Sequence, residues 1–382
     1  MLTPRLTSER QLAFFGAFCL FLSTLEVLVP KPLPFLRVGL ANLPVLLSLS
    51  LYPARFTLAL VALKIAGQAL VGGTLFSYVF LFSAAGSLAS AGVMLGLRGL
   101  LRKKMMSLAG LGIAGSLASN ITQVFFARLL ILGEGAWLIA PPFLFLGTVS
   151  GLLVGVFAEA MRKNSAWLAS IEGNERNPGG FGVEEEVRAV RPEACEAFFC
   201  ALCGFFAAIP FLLAAAPEAK VILAGFFMAG AAASGRRIRV LPNLVLAATV
   251  TAVHLVSPFG KVLCTLAGHP VTEGALRAGL SRSAAVIGLV YLSRFAVRPS
   301  LRLPGRPGRI FSAMLRDFER ITGSGVTITR RDFWACLDRL LGAVYASGDE
   351  GVPATGGKRG FFRYAAGLAA VAASWAVFAV LG

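Results

Sequence analysis

Long apolar runs separated by short polar turns dominate the chain. A helix that crosses a bilayer needs about 20 mostly apolar residues. Runs of that kind lie near 11–29, 38–52, 56–73, 76–97, 106–132 and 137–160, and again near 195–216, 219–235, 240–258, 279–297 and 361–381. The pattern predicts an all-α polytopic membrane protein, with a six-span substrate-binding bundle in residues 1–160, a cytoplasmic linker at 161–194 and about five further spans in 195–382.

The composition agrees with this pattern. Hydrophobic residues make up 57% of the chain and charged residues only 14%, whereas a soluble domain has about 25% charged residues. A chain this apolar cannot cover a water-facing surface with polar side chains. The composition therefore excludes a soluble globular enzyme and a disordered protein.

Basic residues exceed acidic ones by 36 to 19, and they fall in short clusters between the apolar runs. The clusters lie near 98–104, 162–163, 236–239 and 298–309. Such clusters are typical of the cytoplasmic loops of a polytopic membrane protein, where Lys and Arg are in excess. They predict an inner-membrane protein with a cytoplasmic amino terminus and no nucleic-acid partner.

One sizeable cytoplasmic piece is predicted before the last span at 361–381. Apolar residues recur at helical spacing within 305–350, with charged residues elsewhere around the helix, which predicts two amphipathic helices. Either these helices pack on each other or on the membrane face, or they form a docking platform for a cytoplasmic partner. The predicted docking residues are Arg316, Arg320, Trp334 and Arg339.

Polar side chains within the first six runs are the candidate binding residues. They are Glu26, Asn42, Lys64, Gln68, Asn120 and Gln123. Because polar groups inside a bilayer are costly, function is the default hypothesis for them. The set predicts a site for a small molecule with polar and apolar parts. The alternative is that these groups only pair with one another, for example Glu26 with Lys64.

No motif on the chain predicts catalysis. The sequence has no P-loop, no HExxH pair and no Ser-His-Asp arrangement. The spacing of the cysteines fits neither a zinc site nor a redox pair, and the two histidines are isolated. No aspartate-rich pair of the kind that holds magnesium and a diphosphate is present. We therefore expect no catalytic residue, metal or cofactor on this chain.

Four stretches of residues 11–160 are similar to a known family. They are LEVLVPKPLPFLRVGLANLPVLL, KIAGQALVGG, LASNITQVFFA and APPFLFLGTVSGLLVG. Through them this block resembles the Gx transporter family, also labelled heptaprenyl diphosphate synthase component I. That family is similar to the six-helix S components of energy-coupling-factor (ECF) transporters, which implies a bundle that captures a substrate.

Residues 195–382 resemble the transmembrane T component of ECF transporters. The resemblance rests on HPVTEGALRAGLSRSAAVIGLVYLSRF, on the amphipathic segment and on the last span. It implies that ECF-type ATPase subunits dock on the cytoplasmic helices. We expect a fused capture and coupling module for ATP-driven uptake of a small solute, such as a vitamin or quinone precursor. The alternatives are an accessory subunit of a polyprenyl diphosphate synthase and a purely structural membrane-assembly protein.

Overall fold

The structure of the protein is a computed structural model that describes most of the chain. The described residues are 4–28, 39–100, 107–174, 192–235, 238, 240–256, 258–266, 269–296, 305–323, 333–346 and 360–381.

Helices account for nearly all of this part of the chain. The first block consists of α1 (Pro4–Leu28), α2 (Leu43–Leu51), α3 (Ala54–Gly72), α4 (Tyr78–Leu100), α5 (Leu108–Ala127), α6 (Ala136–Asn164) and α7 (Ala166–Asn174). A 3-10 turn, Leu40–Asn42, leads into α2, and a π-helical turn, Arg128–Leu132, follows α5.

The second block begins at residue 192. It consists of α8 (Pro192–Leu213), α9 (Pro217–Ala233), α10 (Val240–Leu255), β1 (Val262–Leu266), β2 (His269–Thr272), α11 (Glu273–Ala296), α12 (Gly305–Gly323), α13 (Phe333–Ala346) and α14 (Gly360–Leu381). The two strands form one antiparallel hairpin, which the sequence pattern did not predict.

Four stretches of the described chain are long and apolar enough to cross a bilayer. They are Ala54–Gly72, Tyr78–Leu100, Leu108–Asn164, which contains both α5 and α6, and Glu273–Ala296. Shorter apolar helices lie at Leu40–Leu51, Phe199–Leu213, Val240–Leu255 and Ala366–Leu381. The prediction of an all-α, multi-pass membrane protein is confirmed.

The predicted span near 38–52 is a half-helix. From Leu40 to Leu51 it has 3 + 9 residues, or about 18 Å at the usual helical rise. The hydrocarbon core of a bilayer is about 30 Å thick, so this helix cannot cross it. It begins after Gly39, whose φ of 83° lies in the left-handed region that glycine tolerates.

Glycines let α5 and α6 pack backbone against backbone. A Cβ added to Gly112 would lie 2.5 Å from the carbonyl oxygen of Gly151, and one added to Gly155 would lie 2.5 Å from the Cα of Ala109. Gly147, Gly151 and Gly155 recur every four residues and so share one face of α6. The close helix packing that this repeat predicts is confirmed.

The helices α12 and α13 pack on the first block. Their buried residues belong to the same hydrophobic core as residues of α1, α2, α3 and α7: Phe311, Met314, Ile321, Leu337, Leu340, Leu341 and Val344. Their apolar faces are therefore covered by the first block, which neither interpretation of the amphipathic pattern included. Residues 161–164 and 166–174, within the predicted linker, are helical, and Trp167 of α7 is buried in this core.

A second hydrophobic core lies among α8, α9, α11 and α14. Phe211 of α8 and Phe227 of α9 pack edge to face there, with ring centroids 5.5 Å apart. The two blocks meet where Phe82 of α4 shares a core with Val253 of α10 and Val286 of α11. The first block thus contacts the second in two places, through α12 and α13 and through α10 and α11.

Candidate functional site

A lysine is buried in the middle of the first block. Lys64, near the centre of α3, is 4% exposed. Its Nζ donates hydrogen bonds to the Oδ1 of Asn42 and, at 3.4 Å, to the Oγ of Ser87 on α4. A buried charge is tolerated only when polar groups replace water around it. Asn42 and Ser87 supply such groups to Lys64.

A second polar contact lies one helical turn farther along α3 and α4. Gln68 follows Lys64 by four residues, and Ser83 precedes Ser87 by four residues. The Oγ of Ser83 donates to the Oε1 of Gln68 at 3.3 Å. Residues four apart share a helix face, so the antiparallel helices bring both pairs together. The structure therefore places Lys64, Gln68 and Asn42 in one polar centre.

Asn42 occupies the amino-terminal end of α2. Its side chain makes no capping bond to that helix, and its Oδ1 accepts from Lys64 instead. The N–H groups of Asn42 and Leu43 already donate to the carbonyl oxygens of Gly39 and Leu40 in the preceding 3-10 turn, and Pro44 has no N–H. The start of the half-helix and the ammonium of Lys64 thus meet at Asn42 inside the bundle.

Asn120 and Gln123 lie on the buried side of α5. Gln123 Nε2 donates to Ser119 Oγ at 2.9 Å, and both pack against Gly86 of α4. Asn120 is 5% exposed and packs against Gly147 of α6. Its Nδ2 has no hydrogen-bond partner within the described part of the chain. Asn120 is therefore a buried donor with incomplete bonding.

Glu26 is buried near the carboxyl-terminal end of α1. It is 4% exposed and lies six residues beyond Leu20, which packs against Gly67 of α3. Six residues correspond to about 9 Å along a helix. Glu26 thus lies nearly two turns beyond the level at which α1 passes Gly67.

Two small cavities lie among α4, α5 and α6. The inner cavity, near the end where α4 stops and α5 starts, is lined by Asn42, Ser90, Ser116, Gly39, Gly112 and Gly151 among others. The outer cavity is mostly apolar and is lined by Phe82, Gln123, Ala127, Leu132 and Phe143 among others. Each encloses about 20 Å³, which is room for roughly one water. Neither cavity has room for a larger molecule unless the helices separate.

Three serines of α4 take part in this arrangement and were not among the predicted residues. Ser83 and Ser87 contact α3, and Ser90 lines the inner cavity. Their spacing of four and three residues puts them on one side of a helix, and this is the signal that the sequence contained. A serine in a helix is ambiguous by itself, because its hydroxyl can bond the backbone of the preceding turn.

A buried ion pair joins α12 to α1. Asp317 is fully buried, and its Oδ2 lies 3.2 Å from Nη1 of Arg10. Arg320 lies 4.0 Å from the same carboxylate, and Arg306 pairs with Glu9 at 3.4 Å. Burial raises the pKa of Asp317, and the nearby arginines oppose that rise. Because desolvation offsets much of the attraction in a buried pair, these contacts mainly fix the position of α12.

Met314 of α12 fills a notch between α1 and α3. A Cβ added to Gly16 would lie 2.8 Å from the Sδ of Met314, and one added to Gly67 would lie 2.7 Å from its Cε. Met314 fits there because Gly16 and Gly67 have no side chains. Gly67 is three residues from Lys64, so α12 presses on the part of α3 that carries the buried lysine.

Asp338 fixes α13 to α7. Its carboxylate accepts hydrogen bonds from the Oγ of Ser165 at 2.6 Å and from the backbone N–H of Ala166 at 2.8 Å. The hydroxyl of Ser165 in turn accepts from the backbone N–H of Leu168 at 3.1 Å and so caps the amino terminus of α7. Trp167 follows and packs on Phe14 of α1, with ring centroids 5.3 Å apart.

The predicted docking residues lie on α12 and α13. Arg316 is half-buried, Arg320 is 17% exposed and pairs within its own helix, and Arg339 is exposed. The side chain of Trp334 lies outside the described residues. Arg339 is therefore the predicted docking residue that the structure leaves most accessible.

The groups at the polar centre suit binding by charge and hydrogen bonds. They are an ammonium, amides and hydroxyls. In the described ranges, no three His, Cys, Asp or Glu side chains lie together in a way that could hold a metal ion.

Comparison with known proteins gives two family matches. Residues 15–161 match the family described as heptaprenyl diphosphate synthase component I, which confirms the resemblance predicted for the first block. Residues 198–299 match a family described only as a domain of unknown function (DUF8519), and the T-component resemblance stays a prediction. No curated protein and no solved structure matches the chain significantly. The first description names a component of a synthase, which agrees with a chain that is not itself an enzyme and works with other subunits.

Proposed function

We propose that this protein, whose residues 15–161 match the component I family, captures a small amphipathic solute in its first block for ATP-driven uptake. The solute contacts Glu26, Asn42, Lys64, Gln68, Asn120 and Gln123. ECF-type ATPase subunits are the proposed partners, and they dock on α12 and α13. The protein lies in the cell membrane with its amino terminus in the cytoplasm.

The buried polar centre around Lys64 is the observation that carries this proposal. Placing a lysine at the centre of a membrane helix costs about 2.5–3.5 kcal/mol on insertion scales. A bundle with a purely structural role has no use for a side chain that destabilises its insertion into the membrane. Asn42, Ser87 and the Gln68–Ser83 pair extend the centre over two turns of α3 and α4, which is the size of a small solute.

The packing of α12 supports coupling between the two blocks. Met314 contacts Gly16 of α1 and Gly67 of α3, so a movement of α12 changes the surroundings of Lys64. A ligand shifts a conformational equilibrium only when it binds the two states differently. The α12 contact supplies a physical path for such a difference between solute-bound and empty states.

Mass spectrometry of small molecules retained by the detergent-purified chain tests solute capture. We expect one solute to copurify with the wild type and with Lys163→Met, a control at an exposed lysine. Lys64→Met should retain at least about tenfold less, equivalent to about 1.4 kcal/mol of binding, while its helix content stays unchanged. Equal retention by the three proteins, or none by the wild type, contradicts the proposal.

An accessory subunit of a polyprenyl diphosphate synthase is the second candidate. The description of the matched family favours it, and the mostly apolar lining of the outer cavity suits an isoprenoid chain once the helices separate. Copurification with a prenyl synthase, together with loss of long-chain quinone on deletion, supports this candidate. Copurification with ATPases, together with solute uptake into proteoliposomes, supports transport.

A further inference from the structure

We infer that the hairpin of β1 and β2 is an interfacial anchor, whose apolar side chains insert among the lipids where the bilayer meets water. The partner of this surface is the lipid at the carboxyl-terminal end of α10. The inference stands apart from the proposed capture of a solute, because it concerns the second block.

Large apolar side chains are exposed on and beside this hairpin. Val256, Phe259, Val262 and Leu263 are each more than half exposed, and they lie close together along the chain. Exposed apolar patches mark surfaces that contact a protein or a membrane. The hairpin is therefore a candidate contact surface.

Hydrogen bonds and close packing fix the hairpin against the start of α11. The N–H of Phe259 donates to the Oγ1 of Thr272 at 3.2 Å, and the N–H of Glu273 donates to the carbonyl oxygen of Lys261 at 2.9 Å. A Cβ added to Gly274 would lie 2.5 Å from the carbonyl oxygen of Phe259. The hairpin therefore presents its apolar side chains from a fixed position.

An exposed stripe of α10 leads to the hairpin and indicates that lipid covers both. Leu241, Leu244, Ala248 and Ala252 recur every three or four residues and are all exposed, so they share one side of the helix. Val256 follows at the same spacing, directly after the helix. Because α10 has 16 residues, it is about 24 Å long, whereas the hydrocarbon core is about 30 Å thick. The hairpin continues the apolar surface where this short helix ends.

The backbone of the hairpin restricts it to the interface. A two-stranded hairpin leaves N–H and C=O groups unpaired along its edges, and open edges do not occur against the hydrocarbon of a bilayer. Water and lipid headgroups can bond these groups while the apolar side chains reach the acyl chains. The exposed Lys261 fits this depth, because its long side chain lets the ammonium reach the headgroups.

An aromatic side chain marks the same boundary on the first block. Gly135, just before α6, packs against Val253 of α10, since an added Cβ would lie 2.4 Å from the Cγ1 of that valine. Trp137 follows two residues later and is exposed, with the guanidinium of Arg128 5.3 Å from the centre of its ring. Tryptophan is enriched where a membrane meets water. The boundary therefore passes through Trp137 and the neighbouring end of α10.

A spin label on the hairpin, with the full chain in lipid nanodiscs, tests the anchor. Cys264 of β1 is exposed, whereas the other cysteines whose side chains the structure describes are buried; Cys195→Ala removes a further thiol. Control labels are placed at Lys163→Cys, exposed near the end of α6, and at Leu153→Cys, exposed in its middle. Both controls also carry Cys264→Ala.

The label on Cys264 should collide more often with oxygen, which dissolves in lipid, than with a water-soluble nickel chelate. The label at position 153 should show the same order, and the label at position 163 the reverse order. If the nickel chelate collides more often than oxygen at Cys264, the hairpin lies in water and the inference is overturned. Rare collisions with both reagents reveal a protein cover, from a second copy or another partner, and also overturn it.

Leu263→Asp provides a second test that needs no label. Because Leu263 is exposed, the substitution removes no core contact, but it places a carboxylate where lipid is expected, which is costly. Leu263→Asp should unfold at a lower temperature than the wild type in nanodiscs, whereas Leu263→Met, the apolar control, should not. Equal unfolding temperatures of the two variants overturn the inference. Neither test involves Lys64 or a retained solute, so their failure leaves solute capture standing.

Discussion

Alanine at Gly112 is expected to force α5 and α6 apart. The new Cβ would lie 2.5 Å from the carbonyl oxygen of Gly151, whereas an ordinary contact is at least 3.4 Å. The backbones must therefore separate locally by about 0.9 Å, because a carbonyl group cannot rotate away as a side chain can. Overpacking of this kind costs about 1–3 kcal/mol. Gly112 also lines the inner cavity, so solute retention should fall as well.

Two glycines of α4 provide matched controls. A Cβ added to Gly92 or Gly96 meets nothing within 4 Å. Alanine there should leave the free energy of unfolding unchanged or raise it by about 0.5–1 kcal/mol, because alanine is the better helix former. Thermal and denaturant unfolding in the same detergent measure the difference. If Gly112→Ala is as stable as Gly92→Ala, the backbone contact between α5 and α6 is refuted.

Four further predictions concern the contacts of α12 and α13 with the first block. Arg10→Met leaves the buried carboxylate of Asp317 with only the longer contact to Arg320, so the free energy of unfolding should fall, by at most about 3–5 kcal/mol; denaturant unfolding that shows no loss contradicts the pairing. Because burial raises the pKa of Asp317, the folded protein holds that proton more tightly than the unfolded chain. The stabilisation is complete below the ordinary pKa of Asp and is lost as the pH rises through the folded pKa. The wild type should therefore melt higher at about pH 4, near the ordinary pKa of Asp, than at about pH 8, and Asp317→Asn should reduce this difference; an equal difference in both proteins argues against it. Ser165→Ala removes the cap of α7 together with its bond to Asp338 and should cost about 1–2 kcal/mol, detected as faster proteolysis around α7, with Asp338→Ala, which leaves the cap in place, showing a smaller effect. Met314→Ala should cost about 2–5 kcal/mol and reduce uptake more than solute retention, and equal losses of both contradict a coupling role.

Several features of the fold could be predicted from the sequence because they depend on local composition. Long apolar runs predict membrane helices, and the repeat of Gly147, Gly151 and Gly155 predicts close packing of α6. The amphipathic pattern of α12 and α13 predicts helices with one apolar face. Each prediction needs only the periodicity of one segment.

The candidate site was predictable only in part. Intramembrane polar residues are conspicuous in an apolar chain, so Lys64, Asn42 and Gln68 could be selected before their contacts were known. Ser83, Ser87 and Ser90 could not be separated from other small polar residues. Their role depends on the register between α3 and α4, which no single helix specifies.

The sequence by itself determined that this is an all-α membrane protein with an apolar first block containing a few polar side chains. Only the tertiary structure decided that residues 40–51 form a half-helix, that its start meets Lys64, and that α12 rests on α1 and α3. The physical reason is that hydropathy and periodicity depend on neighbours along the chain. The pairings of Asn42 with Lys64 and of Met314 with Gly16 and Gly67 depend instead on how separate helices approach in space.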